Sequence, residues 1–379
     1  MRQSKLKNTL IALSAIIATE AVASNGTIMS GYGIKNITMG GVGTALPLDS
    51  IAAANNPAGM AKVGTRVDLG VRVFRGTAHN TFLSEDNENS LNMTTAFPEM
   101  GFNYQIDDRT TFGLSMYGSG SLSDYDKPLL PIPGLDDFFA NATQITLAPT
   151  LTRKFGDSVY IGISPTLNYS VFQAKGVPGI DDKKDTAHGL GVRLGLLWDL
   201  TPQFSIGSMY TPRTKMSEFD HYKDNLLEPA RGRYDLAEQF SIGFAYKPTD
   251  RLTVAADYLR IFWSDVDFLS KKNNVGYKNQ NVWRAGVSYD VTRDLTLRGG
   301  FSYADNIIDS EFLNANFNGP AISNKSFGLG ASYKLAGGYE IAGGIERHIP
   351  RSMRGTGQST GTNLDVNYGF FVLGISKSF

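Results

Sequence analysis

The 379-residue chain contains no cysteine. Its stability therefore owes nothing to disulfides, and it has neither a thiol nucleophile nor a thiolate metal site. It also lacks an excess of either charge: 36 acidic residues balance 36 basic ones, which offers no electrostatic case for binding nucleic acid or an anionic surface. Beyond the first 23 residues no uncharged apolar run approaches the roughly 20 residues that a membrane-spanning helix needs. If this chain enters a membrane, strands must carry it. The four histidines, His79, His188, His221 and His348, are scattered. No HExxH, GxSxG or phosphate-loop pattern accompanies them, and glycine pairs such as Gly40-Gly41 lack the strand-turn-helix setting of a dinucleotide site. Nothing marks an enzyme, and no cofactor is implied.

What is present begins with a leader. Residues 1–23 combine a basic start (Arg2, Lys5, Lys7), an apolar run from Leu10 to Ala18 and a small-residue exit, Ala21-Val22-Ala23. That is the pattern of a secretory signal peptide, with Ser24 as the first mature residue. The chain is rich in glycine, with 41 residues, and 11% aromatic, the mixture expected of many strands joined by tight turns and belted with aromatic side chains.

From about Thr65 onward the sequence alternates with period two. Trp283, Ala285, Val287 and Tyr289 alternate with Val282, Arg284, Gly286 and Ser288. Phe240, Ile242, Phe244 and Tyr246 do so with Ser241, Gly243 and Ala245, and Phe327, Leu329 and Tyr333 with Ser326, Gly328 and Ser332. Successive strand residues point to opposite faces, so one face is apolar and aromatic, the other small or polar. A soluble β-sandwich alternates too. Loop lengths separate the two. Short polar links lie at Ile106–Thr110, Phe155–Ser158, Leu200–Gln203, Lys247–Arg251, Asp290–Asp294 and Leu335–Tyr339. Long ones lie near Gly76–Met93, Gly120–Asn141, Lys175–Asp185, Lys215–Gly232, Val266–Gln280, Ala304–Ser323 and Arg351–Asn363. Six short links alternating with seven long ones imply fourteen strands, and a bacterial outer-membrane barrel keeps short turns at the periplasm and long loops outside. Hydrocarbon leaves no water for unpaired backbone groups, so the sheet must close. The expected fold is an all-β, fourteen-stranded antiparallel transmembrane barrel over residues 64–379. Its last strand carries Phe371, Leu373, Ile375 and Phe379 on one face. This ending resembles the assembly signal of outer-membrane barrels and makes the barrel-assembly machinery an expected partner. Lys377 interrupts that face near the strand end, where it can snorkel to the headgroups.

Residues 24–63 do not fit the strand pattern. Gly31 to Ala61 holds six glycines and two prolines, too broken for a strand and too apolar for a solvated tail. It reads as a plug inside the bore.

The same region resembles the FadL/TodX family of outer-membrane transporters for fatty acids and hydrocarbons. The matching pieces are Gly31-Tyr32-Gly33, Met39-Gly40-Gly41-Val42-Gly43-Thr44-Ala45, Asp49 and Asn56-Pro57-Ala58-Gly59-Met60-Ala61. Phe97-Pro98-Glu99-Met100-Gly101-Phe102, Leu147-Ala148-Pro149-Thr150 and Gly189 to Gly195 are similar to further family segments. The resemblance implies a fourteen-strand barrel with an N-terminal hatch, an apolar groove among the external loops, an inner pocket touched by the mature N-terminus at Ser24, and sideways exit at a kinked third strand. That strand is expected at about Thr110 to Gly120, and its glycines Gly113, Gly118 and Gly120 permit a kink.

Read without the family, Asn56 is a good N-cap and Pro57 a good first helical residue, so Asn56, Pro57, Ala58 and Gly59 form either a capped turn or a gating element. The luminal arginines Arg193, Arg284 and Arg298 could hold a carboxylate bidentately, or could pair with luminal acids such as Asp290. Among the loops, Leu129, Leu130, Ile132, Phe138 and Phe139 form an apolar run, with Phe219 and Leu226 in a later loop. These are expected either as an exposed landing surface or folded over the barrel mouth. The acidic run Ser84 to Glu88 could bind divalent cations with lipopolysaccharide, or is simply a solvated loop tip. The expected function is passive uptake of hydrophobic small molecules through a hatch-gated outer-membrane channel with lateral release. The alternative is a general diffusion porin with a polar bore, and a third reading is a surface adhesin whose function lies in its loops.

Overall fold

The computed structural model describes residues 25–379, so the leader and Ser24 lie outside the described residues. From Arg66 onward the chain is an antiparallel meander. Its strands are β1 (Arg66–Thr81), β2 (Glu88–Gln105), β3 (Thr110–Asp124), β4 (Phe139–Phe155), β5 (Val159–Lys175), β6 (Asp185–Thr201), β7 (Phe204–Thr211) and β8 (Gln239–Thr249). They continue as β9 (Leu252–Ile261), β10 (Gln280–Asp290), β11 (Leu295–Ala304), β12 (Lys325–Lys334), β13 (Tyr339–His348), β14 (Arg351–Arg354) and β15 (Asn363–Ser378). β13 and β14 both pair with β15 and form one stave, broken at Ile349-Pro350, where the register slips by one residue. Pro350 has no N–H for the ladder. β15 also pairs with β1, from Arg66 opposite Ser378 to Thr81 opposite Asn363, and closes a barrel of fourteen staves.

The alternation sorts as the chemistry demands. Leu194, Trp198, Phe240, Ile242, Phe244, Trp283, Val287, Phe327 and Leu329 are exposed on the outer wall, whereas Arg193, Ser241, Arg284 and Ser326 are buried in the bore. Tyr104, Trp198, Tyr246, Tyr289, Tyr333 and Tyr339 stand exposed near the short turns, an aromatic girdle at one interface. Loop bounds differ from the sequence reading, and the link after β7 is longer than Lys215–Gly232, running over residues 212–238. The first external link is only Phe82–Asn87, because β1 and β2 run beyond Gly76 and Met93, and β3 continues past Gly120 to Asp124. The β1 extension pairs with both β2 and β15 and the β3 extension with β4, which stabilises strand conformation in polar sequence that carries little apolar pattern.

Asn25 to Met60 lies inside the barrel and is almost entirely buried. It holds only a helical turn at Ile34–Ile37 and short 3-10 turns at Ala52–Ala54 and Pro57–Lys62. Luminal glycines on several staves make room for it. A Cβ would lie 2.4 Å from Ala58 N at Gly162, 2.1 Å from Thr44 O at Gly207, 2.4 Å from Met39 O at Gly286 and 2.5 Å from Ile37 O at Gly328. Much of the chain's glycine thus forms a belt against which the inner segment's backbone seats.

Candidate functional site

Side chains of the wall hold the inner segment by its backbone. Arg72 Nη2 donates to Gly31 O at 2.6 Å, Arg284 Nη1 to Gly41 O at 3.1 Å, and Arg193 Nη1 to Ala54 O. Acids take the other polarity: Asp257 Oδ2 accepts from Gly43 N at 2.7 Å and Thr44 N at 3.0 Å, Glu99 from Gly33 N at 3.2 Å, and Asp68 from Ser50 N at 2.8 Å. A chain with so little regular structure has many unpaired backbone groups, and these bonds satisfy them away from water. Near the short-turn end Lys35 Nζ lies 2.9 Å from Glu340, which is also 3.8 Å from Arg66. Burial, then the charge of Asp68, pushes the Asp49 carboxyl up to about 7, and burial pushes the Tyr32 phenol up to about 12.

Asn56 caps the turn at Pro57: its Oδ1 accepts from Ala58 N at 3.0 Å, while its Nδ2 donates to Thr44 O at 2.7 Å and Leu196 O at 3.0 Å. One side chain therefore ties the turn, an earlier part of the inner segment and β6 together. Thr152 Oγ1 donates to Pro57 O at 2.8 Å, and Ala58 and Gly59 are buried beside it.

Above this layer three cavities follow one another. An outer groove of about 280 Å³ lies among the external loops, lined by Leu129, Phe138, Leu226, Phe268, Tyr277 and Phe317 among others. It shares Thr27, Ala142, Phe172 and Tyr234 with an inner cavity of about 70 Å³. The inner cavity is bounded by Ile28, Tyr32, Tyr117, Arg193, Phe219 and Trp263, with several hydroxyls and amides. It in turn shares Tyr117, Ser119, Thr143, Gln144 and Val171 with a recess of about 280 Å³ in the wall, lined also by Phe97, Pro98, Met116, Gly118 and Tyr169.

That recess sits where the barrel wall is incomplete. The β2–β3 ladder runs from Gln105 opposite Thr111 only to Met100 opposite Met116, whereas β3 stays paired with β4 up to Asp124. Pro98 offers no N–H, and Gly120 adopts φ +141°, a conformation that favours glycine. Above the gap Ser90 and Asp126 rejoin the strands, Ser90 N donating to Asp126 Oδ1 at 3.2 Å and Asp126 N to Ser90 O at 3.3 Å.

The molecule is thus a closed barrel with an inner segment filling its bore and a side gap at the third strand. Residues 15–370 match the model of the outer membrane protein transport protein family, OMPP1/FadL/TodX. The chain belongs to that family. The barrel of the OMPP1/FadL/TodX chain is shared by solved structures at low identity. The toluene transporter TodX of Pseudomonas putida superposes with a TM-score of 0.70, at 19% identity, over 92% of this chain and 99% of that one. A FadL homologue of Pseudomonas aeruginosa does so with a TM-score of 0.67, at 18% identity, over 95% and 98%. The Ralstonia pickettii toluene transporter TbuX gives 0.65 at 18% identity, over 92% and 99%. An uncharacterized Chlorobium limicola protein from the 5′ region of a phosphoenolpyruvate carboxykinase gene is 44% identical over 66 residues, 16% of this chain and 32% of that protein.

In this family member the residues singled out from sequence fall into distinct places. Gly118 lines the wall recess and Gly120 carries the unusual φ, but Gly113 does not belong with them: it pairs with Asn103 below the gap, and a Cβ there would lie 2.1 Å from Met60 Cε. Arg193 reaches the inner cavity, its guanidinium 5.7 Å from the Tyr117 ring centre. Arg284 lies lower, against Gly41 O, and Arg298 lower still, donating to Ser332 Oγ at 2.9 Å. None of the three forms an ion pair with Asp290, which instead accepts from Thr296 Oγ1 at 2.6 Å. Leu129, Phe138 and Phe219 are buried, Leu130 and Phe139 half-buried, and Leu226 half-buried on the groove; only Ile132 projects into solvent, 46% exposed. The apolar loop run folds over the mouth. The sequence reading missed Tyr32, Tyr117, Trp263 and Phe317. The last two stand in external loops beside other apolar residues, the same signal that marked Leu129 to Phe139.

Proposed function

We propose that the protein takes up hydrophobic small molecules, with residues 24–63 as a seated hatch and the β2–β3 gap as the exit. The observation that carries this reading is the relay of shared lining residues from the external groove to the wall recess, above a bore that the inner segment fills. Burying about 150 Å² of apolar surface stabilises a ligand by about 4 kcal/mol over water, at about 25 cal/mol per Å². A greasy molecule therefore gains by entering the groove and has no reason to cross the polar hatch layer into the periplasm. Exit through the wall delivers it into hydrocarbon instead. The hydroxyls and amides of the inner cavity accommodate a polar end, so long-chain fatty acids and aromatic or aliphatic hydrocarbons form the substrate class, and Arg193 is the luminal arginine placed to meet a carboxylate.

The mature N-terminus completes this picture. Asn25 is buried, and a Cβ at Gly26 would lie 2.7 Å from Trp263, so Ser24 precedes a segment packed beneath the external loops. Phe371, Leu373 and Ile375 share the lipid face of β15 and Phe379, just beyond it, is exposed too, which supports recognition by barrel-assembly machinery. Uptake of a radiolabelled fatty acid and of toluene by cells expressing the protein tests the reading. Accumulation of either above empty-vector cells, with little steady ionic conductance in planar bilayers, is expected. A large steady conductance without hydrophobic uptake would identify a porin.

A further inference from the structure

Beyond the route just described, the external surface carries a second recess, of about 440 Å³, between the loops that follow β7 and β9. Arg213, Lys215, Arg231, Arg233 and Lys272 line it. We propose that it binds the phosphate of a phosphorylated glycolipid in the outer leaflet.

The direction of these side chains follows from strand geometry. Thr214 bridges to Leu236 in extended conformation, and Thr214 and Met216 are buried towards the lumen, so the alternating Arg213 and Lys215 face outward. They stand above Tyr210 and Phe240, a cross-strand pair that is exposed at the upper end of the lipid-facing wall. Arg213 follows Tyr210 by three residues, just past the end of β7 and at most about 10 Å above it, the level where headgroups replace acyl chains. Arg231 adopts a left-handed φ of 54° beside Gly232, which places a cation where glycine would be cheaper.

The recess keeps a positive excess. Asp235 and Asp267 also line it, but Asp235 Oδ1 already accepts from Met216 N at 2.9 Å. Arg233 lies 3.4 Å from Glu218, and Arg213 Nη1 donates to the Asp265 carbonyl at 2.5 Å. Lys215, Arg231 and Lys272 have no ion-pair partner among the described residues. Guanidinium and ammonium groups converging on a polar hollow suit a phosphate. The lining offers little apolar surface for an acyl chain, whereas Tyr210, Phe240 and Ile242 offer it just below. A headgroup in the recess with chains along the wall satisfies both. Asn273 lines this recess and the external groove alike, so an anionic substrate is the competing occupant that the test must separate.

The test uses native mass spectrometry of the full-length protein in detergent, with bisphosphorylated lipid A as probe. Wild type should retain it, and Lys215→Glu/Arg231→Glu/Lys272→Glu should weaken retention about a hundredfold, at about fivefold per cation. The barrel's heat-modifiable gel mobility should be unchanged; Lys215→Gln/Lys272→Gln serves if the triple variant does not fold, with a correspondingly smaller loss. Dephosphorylated lipid A should bind wild type far more weakly. Equal retention by variant and wild type, or by both lipids, would overturn the proposal. So would complete displacement by millimolar inorganic phosphate, which marks a free-phosphate site, or loss of anionic-substrate uptake with lipid A binding intact, which marks a substrate funnel.

Discussion

Tyr32 of the inner segment and Tyr117 of β3 face each other with ring centres 4.6 Å apart and planes tilted by 52°. Tyr32 lines the inner cavity, and Tyr117 lines both that cavity and the wall recess. The pair therefore stands at the step from cavity to exit. An aromatic pair of this kind contributes about 1 kcal/mol. If the rings part for each passage, Tyr117→Ala should speed uptake of a bulky substrate about fivefold. Initial uptake rates compared with those for a small substrate check this; equal or slower rates for both would place the narrow point elsewhere.

Asn56 offers a test of the hatch that spares the barrel. Asn56→Ala removes its bonds to Ala58, Thr44 and Leu196, a loss of about 1–3 kcal/mol from seating. Asn56→Asp preserves the cap but turns an acceptor towards the Thr44 and Leu196 carbonyls. Both variants should show raised ion leak in planar bilayers with normal barrel mobility on gels. A leak in the alanine variant alone would mean that only the cap matters.

Gly195 reports on the same contact from the wall side, because a Cβ there would lie 2.0 Å from Asn56 Oδ1. Gly195→Ala should reproduce the leak of Asn56→Ala. In the double variant the two effects should add to less than their sum, since both disturb one interaction.

Seating should also depend on pH through Asp49. Its carboxyl, ordinarily at 3.8, is pushed up to about 7 by burial and the neighbouring Asp68 charge. The seated hatch binds this proton more tightly than a released one. Seating is therefore strongest below about pH 4 and weakens as pH rises to about 7, with no further loss above. Leak conductance should climb across that window and stay flatter in Asp49→Asn. A leak that falls with rising pH would contradict the assignment.

Most of the barrel is legible in sequence because lipid and lumen impose opposite chemistries on alternate residues. Trp283 beside Arg284 or Phe327 beside Ser326 can point only one way. The short turns are legible for a related reason, since tight reversals demand turn residues at defined places. The extents of β1 and β3 were not, because polar segments above the apolar band carry no alternation to read. Asn56-Pro57-Ala58 marks the inner segment in sequence, yet its fastening is not legible there. Arg193 and Arg284 look like ligand-seeking cations in sequence, and only folding shows them meeting the Ala54 and Gly41 carbonyls. Alternation puts Gly113 and Gly118 on opposite faces of β3, Gly113 towards Met60 in the bore; that Gly118 borders a gap comes from β2 leaving β3 at Met100 and Met116, a matter of long-range register.

The lateral exit is tested most directly by measuring uptake in Gly118→Trp. A Cβ at position 118 meets only Gln144 O at 3.4 Å and Phe97 Cδ1 at 3.7 Å, so the strand accepts a side chain, and an indole would fill the recess. Uptake of a hydrophobic substrate should fall to near the empty-vector rate while the barrel folds, reaches the outer membrane and leaks no more ions than wild type. Wild-type uptake by the correctly folded variant would show that the ligand leaves by another path.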